Sequence, residues 1–401
     1  MKNMMLRVRI VLVTLTYVVF LTLIKACKCY VECNNRVDLI SSTKQTGYIS
    51  YKALGVLKGD ELFIYDNVDM DGKICELPSH VTLNLRSGSL ANGVLIGNRN
   101  RLIISNGVFD NVTIKGSWNS PIIKSTYFKD LSKVNSLKNV FALTNPDIHN
   151  KVYISSGDYY VESLKEWDIC LLVNSNTELF IDGTIKMLPN SFIGCNVLVA
   201  RGDNIKITGK GTIVGDRETH KGDKGEWGFG INILEARNVR VSGLNVKDCW
   251  GDCIYVGGKS KNVLIENCTL SGSRRQGISI TSADGVKIYG CEISDIEGTE
   301  PEYAIDVEPD PGEYCDKIMI ENVNAFNCKG GFMVYGRVPK TKTGSVSIKD
   351  CKVSHVSKSA LRFIDCNRIY IDNCTVQQAS GNETVYFDKV KKISKKDIFI
   401  K

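Results

Sequence analysis

Gly230-Ile-Asn-Ile233 is followed by Cys253-Ile-Tyr-Val256, and the same short alternation of apolar residues returns five more times along the chain. The later copies are Gly277-Ile-Ser-Ile280, Ala304-Ile-Asp-Val307, Gly331-Phe-Met-Val334, Ala360-Leu-Arg-Phe363 and Thr384-Val-Tyr-Phe387. Their second residues are 23 to 29 positions apart. Alternation with period two is typical of a β-strand, and this interval is too short for a strand plus a full helix. The repeat therefore predicts an all-β chain that folds as a parallel β-solenoid.

A second short strand follows each of the first six copies. These strands are marked by Val239, Val263, Val286, Ile318, Val346 and Ile369. At equivalent positions after them, cysteine alternates with leucine, valine, isoleucine and alanine, so it behaves as a small hydrophobic residue of an internal ladder. Although the chain has 15 cysteines, we therefore expect mostly free, stacked thiols, with disulfides confined to Cys27, Cys29 and Cys33 if these remain in the mature protein.

The amino terminus has a different character. Lys2, Arg7 and Arg9 precede an uncharged apolar run from Ile10 to Ile24, which is too short for a membrane span of about 20 residues and is typical of a secretory signal. We therefore predict a signal peptide over 1–26, an irregular β region over 30–150 and a parallel β-solenoid over 151–401. A signal peptide predicts export, so we expect the protein to be secreted, periplasmic or on the cell surface. A lipoprotein signal ending at Cys27 is an alternative, and it would provide the only membrane attachment.

The charge composition of the chain bears on whether it binds nucleic acid. Of the 401 residues, 51 are lysine or arginine and 44 are aspartate or glutamate, and the net charge of +7 is spread along the chain. A nucleic-acid-binding protein would need these cations clustered on one face. We therefore expect no nucleic-acid partner.

The residues between the inward-facing aliphatics point outward, and stacked strands place them in columns about 4.8 Å apart. The central predicted column is Asn232, Tyr255, Ser279, Asp306, Met333, Arg362 and Tyr386. The next column is Leu234, Gly257, Thr281, Glu308, Tyr335, Ile364 and Asp388. Such columns predict the floor of an exposed groove.

Two carboxylates, Asp306 and Glu308, share one face of this groove, about 7 Å apart at the backbone. Mutual repulsion raises the pKa of one of two such acids, and a neutral acid beside an ionised base is what glycosidic cleavage needs. The spacing fits inverting hydrolysis, which leaves room for a water. We predict Asp306 and Glu308 as the catalytic pair, with Asp252 supporting them. Alternatively, Asp306, Glu308 and Asp310 hold Ca²⁺ through their carboxylate oxygens, or the acids simply form a solvated strand face.

Cationic and aromatic residues surround these acids. Arg274 and Arg275 can clamp a uronate carboxylate, or Arg275 can supply the base of a calcium-assisted elimination. The alternative is a surface loop that pairs with the acids. Gln276, Tyr255 and Tyr335 complete the predicted substrate contacts on the strands themselves.

A glycine-rich loop precedes the first regular coil. It runs from Gly215 to Gly228 and is expected to overhang the upstream end of the groove. Trp227 can stack on a sugar ring, and His220 or Glu226 can assist chemistry. The alternative interpretation is a turn with charged residues on its surface.

Several segments resemble the pectate-lyase-like right-handed β-helix superfamily, and within it the polygalacturonase-like glycoside hydrolase family 28. They are Gly157-Asp-Tyr-Tyr-Val, Asn176-Thr-Glu-Leu-Phe-Ile-Asp-Gly-Thr-Ile, Ile205-Lys-Ile-Thr-Gly-Lys-Gly-Thr-Ile and Asn238-Val-Arg-Val-Ser-Gly-Leu. The resemblance covers about 150–390 and implies a right-handed parallel β-helix.

The family's catalytic residues are only partly present. The paired-aspartate motif is reduced to Asp252, Gln276 replaces the histidine of the hydrolases, and Asp306-Val-Glu308 stands where the family has an Arg-x-Lys substrate clamp. Acids in place of that clamp favour a different sugar or a metal over galacturonate.

These observations predict a carbohydrate-active enzyme that acts on a polysaccharide or oligosaccharide. The leading hypothesis is hydrolysis by paired carboxylates without a cofactor. A calcium-dependent polysaccharide lyase or uronate epimerase is the second hypothesis. A non-catalytic glycan-binding protein is the third, because this fold serves all three.

Overall fold

A computed structural model describes residues 47–337, 341–380 and 384–401. The predicted signal peptide, the lipoprotein alternative and the three cysteines before residue 34 lie outside the described residues. The described chain is built almost wholly from β-strands, most of them in one large parallel sheet. The predicted all-β fold class is therefore confirmed.

The first sheet has seven strands. They are β1 (Val56–Lys58), β2 (Glu61–Ile64), β3 (Val68–Asp69), β4 (Ile74–Glu76), β5 (Thr82–Leu85), β6 (Ser89–Ile104) and β7 (Val108–Asn119). All of its pairings are parallel except β1 with β2, which form an antiparallel hairpin. The domain boundary expected at residue 150 stays a prediction.

The second sheet has 27 strands. The first fourteen are β8 (Ile122–Lys124), β9 (Asn150–Ile154), β10 (Asp158–Val161), β11 (Asp168–Val173), β12 (Thr177–Ile181), β13 (Thr184–Met187), β14 (Gly194–Gly209), β15 (Thr212–Val214), β16 (Trp227–Ser242), β17 (Asn245–Lys247), β18 (Asp252–Gly257), β19 (Ser260–Glu266), β20 (Thr269–Ser271) and β21 (Gln276–Ile280). The others are β22 (Ala283–Tyr289), β23 (Glu292–Ser294), β24 (Tyr303–Val307), β25 (Tyr314–Glu321), β26 (Asn324–Phe326), β27 (Gly330–Tyr335), β28 (Lys342–Thr343), β29 (Ser345–Lys349), β30 (Lys352–Val356), β31 (Leu361–Ile364), β32 (Arg368–Ala379), β33 (Val385–Asp388) and β34 (Lys392–Ile400).

These strands stack into three walls, because each coil pairs with the coil before it. Wall 1 consists of β11, the first halves of β14 and β16, then β18, β21, β24, β27, β31 and β33. Wall 2 includes β9, β12, β19, β22, β25 and β29. Wall 3 includes β10, β13, β15, β17, β20, β23, β26 and β30.

Helical structure is minor. The one α-helix of the described residues, α1 (Leu137–Phe141), has three buried residues, and short 3₁₀ turns cover Tyr51–Ala53, Ser125–Tyr127 and Arg217–Thr219. In the described part of the chain, no helix has the length and apolar character that a membrane crossing requires.

The core lies between the walls and contains the predicted ladders. Val239, Val263 and Val286 stack in register on wall 2. The twelve cysteines of the described residues are all buried and free, which confirms the expectation of internal thiols there. Burial raises the pKa of Cys75 to about 11 and that of Cys195 to about 12, so these sulfurs behave as apolar core atoms.

One turn between walls 1 and 2 is stabilised by a column of asparagines with left-handed backbone conformations, a conformation that asparagine adopts more readily than other non-glycine residues. Asn204 donates to Asn176 at 3.1 Å, Asn238 to Asn204 at 3.1 Å and Asn262 to Asn238 at 3.2 Å. The repeated turn keeps successive coils aligned, so residues at equivalent positions on wall 1 become neighbours.

Candidate active site on wall 1

The central column of wall 1 forms as the repeat predicts. Asn232, Tyr255, Ser279, Asp306, Met333, Arg362 and Tyr386 pair in direct register through seven strands. The carboxylate of the middle coil is therefore flanked by serine on one side and by methionine on the other. Sequence reasoning places these residues correctly in order, but it does not give their exposure.

Asp306, in the middle of this column, is only 2% exposed. Its Oδ2 accepts a hydrogen bond from Nε2 of Gln276 at 2.8 Å, while its buried Oδ1 has no hydrogen-bond partner among the described residues. Gln276 is fixed in turn because its Oε1 accepts the backbone N–H of Tyr303 at 3.1 Å. Burial, and then the charge of Glu308, raises the pKa of Asp306 well above its ordinary value.

Asp252 is the second buried carboxyl, with no exposed surface. Its Oδ2 accepts the hydroxyl of Ser279 at 2.7 Å and is 3.4 Å from Nη1 of Arg275. Burial outweighs these two contacts and raises the pKa of Asp252 from 3.8 to about 6. The expectation that Asp252 and Asp306 lie on an exposed wall is therefore wrong. The stacked neighbour of Asp252, Gln276, is buried, and so are the neighbours of Asp306, Ser279 and Met333.

Arg275 is the cation at the centre of these acids. Its Nε is 3.6 Å from Glu226, and its side chain is only 16% exposed. Burial opposes the charge of Arg275, but the carboxylates of Asp252, Asp306, Glu226 and Glu308 outweigh burial and raise the pKa of the guanidinium. Arg275 is therefore a permanently charged counter-ion for the acids.

Glu308 follows the last residue of β24 and is half-buried. Its backbone N–H still donates to the carbonyl of Ile280 at 3.1 Å, so the residue stays in the ladder of wall 1. Burial raises the pKa of Glu308, and the positive charge of Arg275 partly offsets this rise. Unlike Asp252 and Asp306, this carboxylate reaches a cleft.

The cleft has a volume of about 820 Å³ and lies beside the downstream coils of wall 1. Its lining residues are Glu300, Pro301, Tyr303, Glu308, Met333, Tyr335, Ser357, Lys358, Ser359, Arg362, Ser380 and Tyr386. Tyr335 is thus placed at the cleft, whereas Tyr255 lies further upstream. The Tyr255 ring stacks on Phe229 with 4.6 Å between centroids, and its hydroxyl is 2.6 Å from that of Thr281.

Sequence reasoning missed the loops that shape the cleft. Lys358 donates to Oε2 of Glu300 at 2.7 Å, to Oε2 of Glu302 at 2.6 Å and to the carbonyl of Pro301 at 3.0 Å. These contacts join the loop before β24 to the loop before β31. The Arg362 guanidinium lies over the ring of Tyr386, 4.9 Å from its centroid. Arg362 and Tyr386 stand in the predicted column, so the repeat places them on wall 1 but does not single them out as cleft residues.

The loop before β16 is anchored differently from what the sequence predicts. The His220 side chain is buried, with Nδ1 2.8 Å from Oδ2 of Asp216 and the ring stacked on Trp250 at 3.8 Å. The Arg274 guanidinium also packs on Trp250, 3.6 Å from the ring centroid, and Nη1 donates to the carbonyl of Gly225 at 2.8 Å. In this structure, His220 and Arg274 hold the loop against wall 1 and do not line the cleft.

The remaining predicted site residues, Glu226, Trp227 and Asp310, lie at different places on the molecule. Glu226 contacts Arg275 at the buried acids, whereas Trp227 packs against Trp167 at the upstream end of wall 1. Asp310 is exposed, and its Oδ2 accepts a hydrogen bond from the Tyr255 hydroxyl at 3.4 Å.

Across 47–337, 341–380 and 384–401, the structure forms no group of three or more histidine, cysteine, aspartate or glutamate side chains that could hold a metal ion. The calcium hypothesis stays a prediction.

Comparison with known families settles the family of the scaffold. A protein-family model, described as the right-handed β-helix region, matches residues 180–339 and 229–388, which together span just over half of the chain. The chain belongs to the right-handed β-helix family. The predicted right-handed parallel β-helix is thereby confirmed.

Individual relatives add little about chemistry. An uncharacterized protein YclG from Bacillus subtilis (strain 168) is 31% identical over 189 residues, which are 40% of this chain and 32% of that protein. The chain thus spans about a third of this curated relative. A pectate lyase, Pel9A, has 10% identity and a TM-score of 0.46 over 64% of this chain and 72% of its own. A family 28 exopolygalacturonase from Yersinia enterocolitica has 11% identity and a TM-score of 0.43 over 70% and 78%.

Proposed function

We propose that the protein is a polysaccharide-processing enzyme that hydrolyses a glycosidic bond in the cleft beside wall 1, with Glu308 and Asp306 as the paired carboxylates. One observation carries this proposal. The half-buried carboxylate of Glu308 borders a cleft of about 820 Å³ and lies two residues after a buried carboxyl, Asp306, whose Oδ1 has no hydrogen-bond partner in the described chain.

The environments of the two acids give them different roles. The raised pKa of Asp306 favours its protonated form, and its Oδ1 has no partner in the described chain that would hold the proton. Because Asp306 is buried and does not itself border the cleft, transfer of this proton to a leaving group requires that substrate binding uncover Oδ1. Glu308 reaches the cleft, where it can accept a proton from water. Inverting hydrolysis needs about 6.5–9.5 Å between the two carboxyl groups, so that a water fits between the base and the sugar while the acid contacts the leaving oxygen. Residues two apart on a strand are about 7 Å apart at the backbone, which is compatible with this spacing.

Asp252 and Arg275 support this pair. Arg275 offsets part of the repulsion among the acids, and Asp252 holds Nη1 of Arg275 at 3.4 Å. The raised pKa of Arg275 argues against the elimination hypothesis, because a guanidinium that stays charged cannot serve as the base. We therefore favour hydrolysis over a lyase or epimerase reaction.

The test is a screen of soluble polysaccharides, with laminarin, xylan, dextran, polygalacturonate and alginate as probes. Hydrolysis leaves saturated reducing ends, whereas elimination leaves an unsaturated sugar that absorbs ultraviolet light. We expect Glu308→Gln and Asp306→Asn to abolish cleavage. Glu321→Gln is the control, because Glu321 pairs with Lys287 at 2.8 Å away from the cleft. Full activity of Glu308→Gln would exclude the proposed site.

Calcium and export are tested separately. Activity that disappears with a chelator and returns with Ca²⁺ would favour the Asp306, Glu308 and Asp310 site of the lyase hypothesis. We also propose export, which rests on the sequence of residues 1–26, and fractionation of cells expressing the full chain tests it. Recovery of the protein only from the cytosol would contradict export without affecting the cleft.

A further inference from the structure

An exposed pair of tryptophans lies at the upstream end of wall 1. Trp167 precedes β11 and is 51% exposed, and Trp227 is the first residue of β16 and is partly exposed. Their ring centroids are 5.4 Å apart, with 39° between the ring planes. A whole coil separates the two residues, yet their rings are in contact.

Gly194 allows this contact. It pairs with Trp227 in the ladder, and its carbonyl accepts the backbone N–H of Trp167 at 2.7 Å. A Cβ at position 194 would lie 2.7 Å from the Trp167 ring, which is too close for any side chain. The coil between the two tryptophans therefore leaves an open space on its outer face, and the indole rings fill it.

The backbone of Trp167 is also unusual. Its φ of 60° lies in the left-handed region, which is strained for a bulky residue. The neighbouring residue Glu166 braces this turn, because its Oε2 accepts the backbone N–H of Ile193 at 2.9 Å. A strained backbone that holds a large apolar ring in water opposes folding, and such strain is concentrated at binding and active sites.

We infer that Trp167 and Trp227 form a platform that binds sugar rings of the polysaccharide at a distance from the cleaved bond. This inference rests on the proposed function, because it takes the ligand to be a glycan. Indole rings stack on the apolar faces of pyranose rings, so the platform recognises ring shape without requiring a charged sugar.

The position of the platform suits an extended glycan. Trp227 begins the wall 1 segment of β16, and β18 and β21 separate this segment from the coil of Asp306. Three steps of about 4.8 Å place the platform about 14 Å upstream along the stack of coils, and Trp227 also lies five residues before Asn232 of the central column, about 16 Å across the wall. A chain of several sugar units lying along wall 1 would contact both the platform and Glu308, whereas a single sugar would contact only one of them.

Affinity electrophoresis in gels that contain each of the five probe polysaccharides tests the platform. We expect at least one polymer to retard the full-length protein, and Trp167→Ala to weaken that affinity about tenfold, as for a central aromatic contact. Trp167→Phe, which keeps a ring, should retain most of the affinity. Tryptophan fluorescence should change when the polymer binds to the wild type, and this change should shrink in Trp167→Ala.

Phe180→Ala is the matched control, because Phe180 and Tyr153 form an exposed aromatic pair on wall 2 with centroids 6.2 Å apart. The platform is refuted if Trp167→Ala binds like the wild type, if Phe180→Ala weakens binding equally, or if no polymer binds. Glu308→Gln separates the two proposals. If it cleaves normally while Trp167→Ala loses affinity, the catalytic proposal fails and the platform stands; the reverse result refutes the platform alone.

Discussion

Replacing Asp252 by asparagine should alter how the stability of the protein depends on pH. The pKa of this buried carboxyl is raised from 3.8 to about 6. A raised pKa in the folded state stabilises the protein below pH 3.8, and this contribution is lost as the pH rises through about 6. At about 1.4 kcal/mol per pKa unit, the full change is about 3 kcal/mol. Asparagine keeps an acceptor for Ser279 and cannot ionise.

The free energy of unfolding of Asp252→Asn, relative to the wild type, should therefore rise by about 3 kcal/mol between about pH 3 and pH 8. Urea titrations followed by circular dichroism at several pH values measure this difference. Asp316→Asn is the control of opposite sign: hydrogen bonds from Ser345 and Lys317 outweigh burial and lower the pKa of Asp316. A difference for Asp252→Asn that is flat or falls with pH would refute the buried-carboxyl interpretation.

Three further predictions concern the core and the charged centre. Gly331→Ala should lower the free energy of unfolding by about 1–3 kcal/mol, because its Cβ would collide with the carbonyl of Ala360. Gly47→Ala is the control, since a Cβ there meets no atom within 4 Å. Equal urea midpoints for the two variants would contradict this prediction. Arg275→Gln should cost about 3 kcal/mol at neutral pH and less at pH 4, where Asp252, whose pKa is raised to about 6, is protonated; a cost that does not depend on pH would exclude the counter-ion role. The third prediction concerns a variant that lacks the three cysteines before residue 34. A thiol reagent should label its native form slowly and its urea-unfolded form at once, because the described cysteines are buried. Rapid labelling of the native form would contradict the internal ladder of cysteines.

The scaffold could be predicted because its signal is local and repeated. Alternating residues such as Ile231 and Ile233 define a strand, and the return of the pattern every 23 to 29 residues fixes which residues stack. Register errors are costly when one face of each strand is buried, since a shift by one residue would expose the aliphatic side chains. The predicted column from Asn232 to Tyr386 therefore appears unchanged in the structure.

The loops could not be predicted in the same way. Their lengths vary from coil to coil, and their conformations depend on contacts between residues far apart in sequence. Lys358 bonds to Glu300 across 58 positions, and Arg274 bonds to the carbonyl of Gly225 across 49. Such pairs leave no periodic trace in the sequence, so the cleft and the buried position of His220 emerge only from the folded chain.

By itself, the sequence determined the β-helix, the stacking order of wall 1 and the presence of Asp252, Asp306 and Glu308 within three successive coils, because these follow from a repeated pattern of side chains. The tertiary structure alone decided which of these acids reaches solvent. Exposure depends on how loops and stacked neighbours cover each side chain, and burial in turn sets the pKa of a carboxyl. Asp306 and Glu308 are two residues apart, yet only Glu308 borders the cleft.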